Sequence, residues 1–311
     1  MGPRKTSRHI LSFLSKTYLI STKEVIRMID SQPPIDTPLV FLDIDGTLLD
    51  ATYASNDPTL ATYIEELQRD GFIFGINSNR SLEDILPIAE QFSIGGPLIG
   101  ENGVFSYSLK NNQTTYFLDQ NELNQLAKDK RDIEALILQA LKARFSDKRV
   151  LWRDVDTVRA ISEKIIDNEY AEGDIIVLNN VFRKHTVSAH LFQFTNGRLK
   201  TIPVPVVKSV LLLIRDECKK RGLTITYDPS FSNILVYSNA VSKSSAVKKV
   251  AEAYPTLRLY AVGDSMSDFE MVKGIGTFFA VANAPKAVQR EAVYVSSVFN
   301  ALGVRELLAR I

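Results

Sequence analysis

Asp43 and Asp45 flank Ile44 directly after the apolar run Leu39-Val40-Phe41-Leu42, and Gly46-Thr47-Leu48 follows them. In extended backbone both carboxylates would project to one side, but Gly46 frees the chain to turn, so the two acids can take different roles. Two neighbouring carboxylates repel unless a positive charge sits between or beside them. A divalent cation is the simplest answer, and hard oxygen ligands with no histidine or thiol close by favour magnesium. Ser78 and Asp264 also follow apolar runs. In an open α/β sheet, ligands gather outside the carboxyl ends of the strands, so these three positions would meet at one place.

Each feature also has a plain structural reading. Asp-Gly is a common turn dipeptide. Ser78 could be an ordinary strand-end hydroxyl, and Lys243 a solvated lysine at a helix start, where Ser242 and Ser244 are good caps. Asp268 could be a first-turn acid favoured by the helix dipole. What favours chemistry is the joint occurrence, in order, of the strand-terminal acids, Ser78, Lys243 and the stretch Gly263-Asp264-Ser265-Met266-Ser267-Asp268.

The elements that must position these residues follow from hydrophobic periodicity. Residues 39–42, 72–76 and 98–99 read as strands and 60–67 and 82–92 as helices, with Pro87 weakening the last. Such alternation predicts βαβ units and a parallel sheet. Residues 104–107 and 115–118 read as a hairpin beyond Glu101-Asn102-Gly103. The pattern then changes: helices over 122–144, 157–167 and 206–221 alternate with antiparallel-looking strands over 187–194, 223–226 and 234–237. Asn196-Gly197 is a hairpin turn signal. From Lys243 the parallel rhythm resumes, with a helix to 253 and strands at 259–262 and 278–282. The expected organisation is an N-terminal extension over 1–36, a Rossmann-like α/β core with a parallel sheet and three layers over 37–118 and 241–311, and an inserted α+β cap over 119–240.

With these motifs the chain resembles the haloacid dehalogenase-like hydrolase superfamily, in particular its Cof-like phosphatase branch with a C2B-type cap. Asp43 to Leu48 fit the first motif, Asn77-Ser78-Asn79-Arg80 the second, Lys243 the third, and Gly263-Asp264 through Asp268 the fourth. Glu101-Asn102-Gly103 and Val281-Ala282-Asn283-Ala284 also look like stretches recurring in that branch. The resemblance implies that Asp43 attacks phosphorus and becomes an aspartyl-phosphate, while Asp45 serves as acid and then base. It implies Mg²⁺ held by the Asp43 carboxylate, the Asp45 main-chain carbonyl and Asp264. Ser78, Asn79 and Lys243 would bind phosphate, with Thr47 and Asp268 in support. Many relatives carry Gly where Asn79 stands and Asn where Ser267 stands; the latter removes a longer donor.

The expected substrate is a small phosphorylated metabolite, such as a sugar phosphate or a phosphoglycolate-like compound. Asn102 and the cationic Arg183-Lys184-His185 cluster are candidate substrate contacts, Arg183 being suited to a carboxylate or second anion. His185 and His190 are too isolated to read as metal ligands, and Trp152 reads as packing. A phosphomutase is the nearest rival, because the same intermediate could pass to another hydroxyl. A catalytically idle binding or regulatory module is disfavoured, since it would not need Asp43, Asp45, Ser78, Lys243 and Asp264 together.

Across 311 residues, 37 basic and 36 acidic side chains nearly cancel, so nothing calls for a nucleic-acid or membrane partner. Cys218 is the single cysteine, which excludes an internal disulfide and fits a reducing compartment, the cytoplasm by default. The basic N-terminal stretch is interrupted by Lys16 and reads as an amphipathic helix or arm rather than a signal peptide. Walker A and HExxH patterns are absent, and Gly274-Ile275-Gly276 lacks the third glycine of a dinucleotide loop.

Overall fold

A computed structural model describes residues 36–156, 169–252 and 257–311. The expected extension, except for Asp36, and the expected helix over 157–167 lie outside the described residues. The chain begins with β1 (Pro38–Leu42), α1 (Leu60–Arg69), β2 (Ile73–Asn77), α2 (Leu82–Gln91), β3 (Leu98–Gly100), β4 (Phe105–Ser108) and β5 (Gln113–Tyr116). The helix α3 (Gln120–Arg144) follows, then β6 (Val150–Val155), β7 (Ile175–Asn180), β8 (Val187–Thr195), β9 (Arg198–Thr201), α4 (Val204–Lys220), β10 (Leu223–Asp228) and β11 (Asn233–Ser238). It closes with α5 (Lys243–Glu252), β12 (Arg258–Gly263), α6 (Met266–Val272), β13 (Thr277–Ala280), α7 (Lys286–Gln289), β14 (Tyr294–Val295) and α8 (Asn300–Leu308).

Eight strands form the first sheet, in the order β14-β13-β12-β1-β2-β3-β4-β5. The pairs from β14 to β3 are parallel, and the β4–β5 hairpin adds two antiparallel strands. All five residues of β1 are buried, as expected of a strand covered on both faces. Val40 and Leu42 pack toward Leu60, Ile64, Ile85 and Val304, whereas Leu39 and Phe41 pack toward Ala246, Val247 and Met271. Burying each of these large side chains contributes roughly 1.5–3 kcal/mol. The same alternation builds a layer of helices on each face.

In this sheet Leu42 pairs with both Val262 and Ile76. The register therefore brings Asp43, Ser78 and Asp264 off the same edge, and Asp43 N–H still donates to the Val262 carbonyl at 3.1 Å.

The second sheet runs β10-β11-β8-β7-β6, with β9 paired to β8. α3 and α4 cover one face through Ile133, Ile137, Leu141, Val207, Val210 and Ile214. Asn196 and Gly197 join β8 to β9 with φ of 53° and 69°, the left-handed pair a tight hairpin requires. Sequence periodicity did not reveal β6 or β7, and these two pair in parallel, unlike their antiparallel neighbours. Five of the six residues of β6 are half-buried and Asp154 is exposed, so the short apolar run Val150-Leu151-Trp152 passes into Arg153-Asp154 without the alternation that marks a strand. Among the described residues, no helix is long and apolar enough to cross a membrane.

Candidate active site

The loop after β1 is shaped by Gly46, whose φ of +87° is open to few other residues. A Cβ there would lie 2.3 Å from Asp264 Oδ2, so this glycine is what lets the carboxylate from the β12 edge settle against the loop. Asn283 and Asn300 fix the turn from the other side, their Nδ2 groups donating to the Gly46 carbonyl at 2.7 and 2.9 Å.

Lys243, at the start of α5, is buried and donates to Asp43 Oδ1 at 2.5 Å and to Asp268 Oδ1 at 2.8 Å. Burial alone would strip its proton, but Asp268 and Asp43 outweigh that and raise its pKa, keeping the ammonium charged. Asp268 Oδ2 in turn accepts from the Asp264 and Ser265 main-chain N–H groups and from Ser265 Oγ. Its oxygens are committed to holding Lys243 and the β12 loop in place.

Asp43, Asp264 and Asp268 each present an oxygen within 4.8 Å of the others. Burial, and next the Asp268 charge, push Asp43 up to about 7 against the pull of Lys243. Burial, and next the Asp43 charge, push Asp264 up to about 8. Two acids raised this far need a cation to be ionised together at neutral pH. Because Asp268 is spoken for, Asp43 and Asp264 are the pair with oxygens left to offer, and a hard divalent ion fits that donor set. The Asp45 carboxylate is not in this trio.

Asp45 faces Arg80 instead, in a two-pronged ion pair. Burial works to raise this acid, but the Arg80 charge and hydrogen bonds prevail and hold it below the usual carboxylate range. The Arg80 guanidinium also lies over the Tyr53 ring, 5.0 Å from its centroid. Ser78 is buried at the β2 edge, its N–H donating to the Ile99 carbonyl, and its hydroxyl accepts from Arg80 N–H at 3.3 Å. Asn79 and Thr47 each hold a buried side-chain oxygen with no hydrogen-bond partner among the described residues.

A cavity of about 520 Å³ opens over these groups, lined on one side by Asp43, Asp45, Ser78, Asn79, Lys243 and Asp264. The second sheet supplies the opposite side, including Asn180, Arg183, Ser188, His190 and Phe231. The cavity thus gathers most of the residues expected from the sequence. Thr47, Asp268, Asn102 and Lys184 stand outside its lining. Asn102 is buried in a run of three left-handed residues, Glu101 to Gly103, and its N–H donates to the Ser78 carbonyl at 3.3 Å. The Lys184 side chain is exposed, and its N–H donates to Glu101.

Three residues given no role in the sequence matter here. Arg80 stands inside the second motif, but its partner lies 35 positions away. Glu101 is 2% exposed and accepts from Lys184 N–H, His185 N–H and Thr186 Oγ1 at 3.0, 2.8 and 3.0 Å, tying the first sheet's loop to the turn beside Arg183. His190 is buried against the cavity with Nδ1 2.8 Å from the Phe231 carbonyl, and burial pushes its pKa down to about 4. It is therefore a neutral imidazole whose Nδ1–H is taken, which leaves Nε2 an acceptor.

Residues 40–308 match the family model of haloacid dehalogenase-like hydrolases. Over 285 residues the chain is 26% identical to YkrA of Bacillus subtilis, which bears a provisional phosphatase name, covering 87% of this chain and 96% of that one. Over 264 residues it is 24% identical to the 5-amino-6-(5-phospho-D-ribitylamino)uracil phosphatase YcsE of the same organism, covering 84% and 90%. A solved sugar phosphatase of haloacid dehalogenase subclass IIB superposes with a TM-score of 0.54 at 15% identity, covering 88% of this chain and 98% of that one.

Proposed function

Because this chain belongs to the haloacid dehalogenase-like hydrolase family and is a phosphatase, we propose that it hydrolyses a small phosphorylated metabolite through a phosphoenzyme on Asp43, with Mg²⁺ as its ion. The observation that carries this reading is the convergence of Asp43, Asp45, Ser78, Lys243 and Asp264 on one wall of a single cavity.

In the first step an Asp43 oxygen forms a bond to phosphorus as the ester oxygen leaves with a proton from Asp45. In the second, Asp45 takes a proton from water, whose oxygen displaces the Asp43 carboxylate and releases phosphate. Dividing the displacement in this way lets one carboxylate alternate between acid and base, worth typically 10²–10⁴-fold. Arg80 keeps Asp45 ionised before substrate binds, the state needed for the second step, so the proton that Asp45 gives in the first step enters with the substrate's monoanionic phosphate. Lys243 and the Ser78 hydroxyl would meet the phosphoryl oxygens and hold them in line. Asp43, Asp264 and the Asp45 carbonyl would hold the ion, which when bound neutralises charge between the anionic nucleophile and the anionic phosphate.

We take residues 119–240 as the cap that closes over the phosphate. Its cavity wall is rich in amides and hydroxyls, with the neutral His190 as an acceptor, and suits a hydroxylated leaving group. A sugar phosphate or a related polyol phosphate is therefore the preferred substrate, and relatives named for a phosphoribityl compound and for phosphoglycolate act on substrates of this size. The buried, unpaired Cys218 agrees with a cytoplasmic setting.

Phosphate release from an aryl phosphate should require Mg²⁺, cease with a chelator and be lost in Asp43→Asn. Undiminished hydrolysis by that variant would overturn the nucleophile assignment. A screen across sugar phosphates, phosphoglycolate and nucleotides identifies the substrate class, and steady release of free phosphate counts against a mutase.

A further inference from the structure

The cavity holds three cationic side chains, and two of them already have acids. Arg80 is bound to Asp45, and Lys243 to Asp43 and Asp268. Arg183 has none: it is 6% exposed, and no carboxylate of a described residue lies within ion-pair distance of it. Its Nη1 donates to the Asn79 carbonyl and to Thr186 Oγ1, and its Nε is buried without a partner among the described residues. A buried guanidinium with an unsatisfied donor and no counter-ion is costly, so such a group is retained where a ligand anion completes it.

The place where Arg183 is held decides which anion. It lies on the turn between β7 and β8, but its anchor is the main-chain carbonyl of Asn79, the residue next to Ser78. The acids acting on it through space are Asp84, Glu101 and Asp45, the last on the phosphate side of the cavity. Its neighbours 184–186 are pinned to the first sheet by Glu101, which holds the turn that carries the guanidinium beside the Asn79 loop.

We propose that Arg183 is a further catalytic residue, a cation borne by the second sheet that binds the transferring phosphoryl group itself, not a second anionic group on the leaving alcohol. The proposal rests on the reading of Asp43 as nucleophile. It makes the phosphate site incomplete until the 183–186 turn is docked on Glu101. Guanidinium donors suit three equatorial phosphoryl oxygens that gain charge as the bond to the leaving oxygen breaks.

The test compares wild type, Arg183→Ala, Arg183→Lys and the control Lys184→Ala on two esters: p-nitrophenyl phosphate, which has no second anion, and a bisphosphorylated sugar. A cation on the phosphoryl group predicts that Arg183→Ala lowers kcat/KM by about 10²–10³-fold on both esters alike. Added guanidinium should restore part of the loss, Arg183→Lys should fall between, and Lys184→Ala should match wild type. A loss confined to the bisphosphate, or no loss, overturns the proposal. Calorimetric binding of inorganic phosphate with Mg²⁺ gives a second readout, expected to weaken in Arg183→Lys and Arg183→Ala. Unchanged phosphate affinity in a folded Arg183→Lys protein also overturns it. These outcomes are separate from failure of the nucleophile assignment, which would show as activity surviving in Asp43→Asn with Arg183 intact.

Discussion

Arg80 clasps Asp45 with two parallel donors, Nε on Oδ2 at 2.9 Å and Nη2 on Oδ1 at 2.5 Å, while the Tyr53 ring covers the guanidinium. The pair is unequal in exposure: the Arg80 side chain is 4% exposed and that of Asp45 30%. The arginine is thus fixed by the protein, and the acid it holds still reaches the cavity.

Arg80→Gln should leave Asp45 without its partner. The folded-state pKa of Asp45 lies below its ordinary value, so the pair contributes stability above that ordinary value and loses it as pH falls through the folded-state value. Breaking a buried pair costs ~3–5 kcal/mol, and the partial exposure of Asp45 puts the expected loss below that range, at ~2–3 kcal/mol. Urea unfolding at neutral pH should report this difference, which should shrink in acid. The acidic limb of the pH–rate profile should move to higher pH in the variant. An unmoved limb would separate Asp45 from the proton transfers.

Glu101→Ala should loosen the docking of the second sheet on the first. Two main-chain N–H groups and the Thr186 hydroxyl lose their acceptor in a setting that admits little water, and each such loss costs ~1–3 kcal/mol. The expected total is ~3 kcal/mol or more in chemical denaturation, accompanied by a fall in kcat larger than any change in KM. Full activity in a destabilised variant would show that the 184–186 turn need not be held for chemistry.

The meeting of these side chains at one sheet edge was legible in the sequence because each acid or hydroxyl follows a run of buried residues, and parallel register then leaves no choice about where the strand ends meet. Asp43, Ser78 and Asp264 are of this kind. Lys243 was legible only through its place in the order of motifs, since a lysine between two serines has an ordinary reading. Arg80 could be quoted within a motif, but its partner could not, because nothing local connects it to Asp45. Glu101 is a plainer case: its three donors stand 83 to 85 positions away, on a turn whose docking is a tertiary fact. A cationic cluster shows charge but not direction: Arg183 is buried against the cavity, whereas Lys184 is exposed. β6 escaped detection because its half-buried residues leave no period to read.

Gly46→Ala should displace Asp264 without touching any carboxylate by mutation. The added methyl would lie 2.3 Å from Asp264 Oδ2 at a φ of +87°, so either the loop or the acid must shift. Supporting-residue changes around metal ligands typically cost 10–100-fold in affinity. Titration calorimetry should show Mg²⁺ binding weakened by about that factor, with activity partly recovered at high Mg²⁺. Unchanged affinity would mean that Asp264 does not need its seat against this glycine.

Metal and pH should be linked through Asp43 and Asp264. Their folded-state values are raised from 3.8 to about 7 and about 8. The folded protein therefore retains protons that the unfolded chain has lost, and stability falls as pH rises from the ordinary carboxylate value through that range. The slope approaches ~1.4 kcal/mol per pH unit for each carboxylate that stays protonated. A divalent cation between the two acids replaces those protons and removes the penalty. In chelator the melting temperature should decline between pH 5 and 8, whereas with Mg²⁺ it should decline less. The stabilisation by Mg²⁺ should accordingly grow with pH, since at low pH the ion competes with protons for the same oxygens. Asp264→Asn removes one of the two charges, so its chelator curve should be flatter than that of wild type and its response to Mg²⁺ smaller. A stabilisation by Mg²⁺ that is equal at pH 5 and pH 8 would place the ion away from these carboxylates.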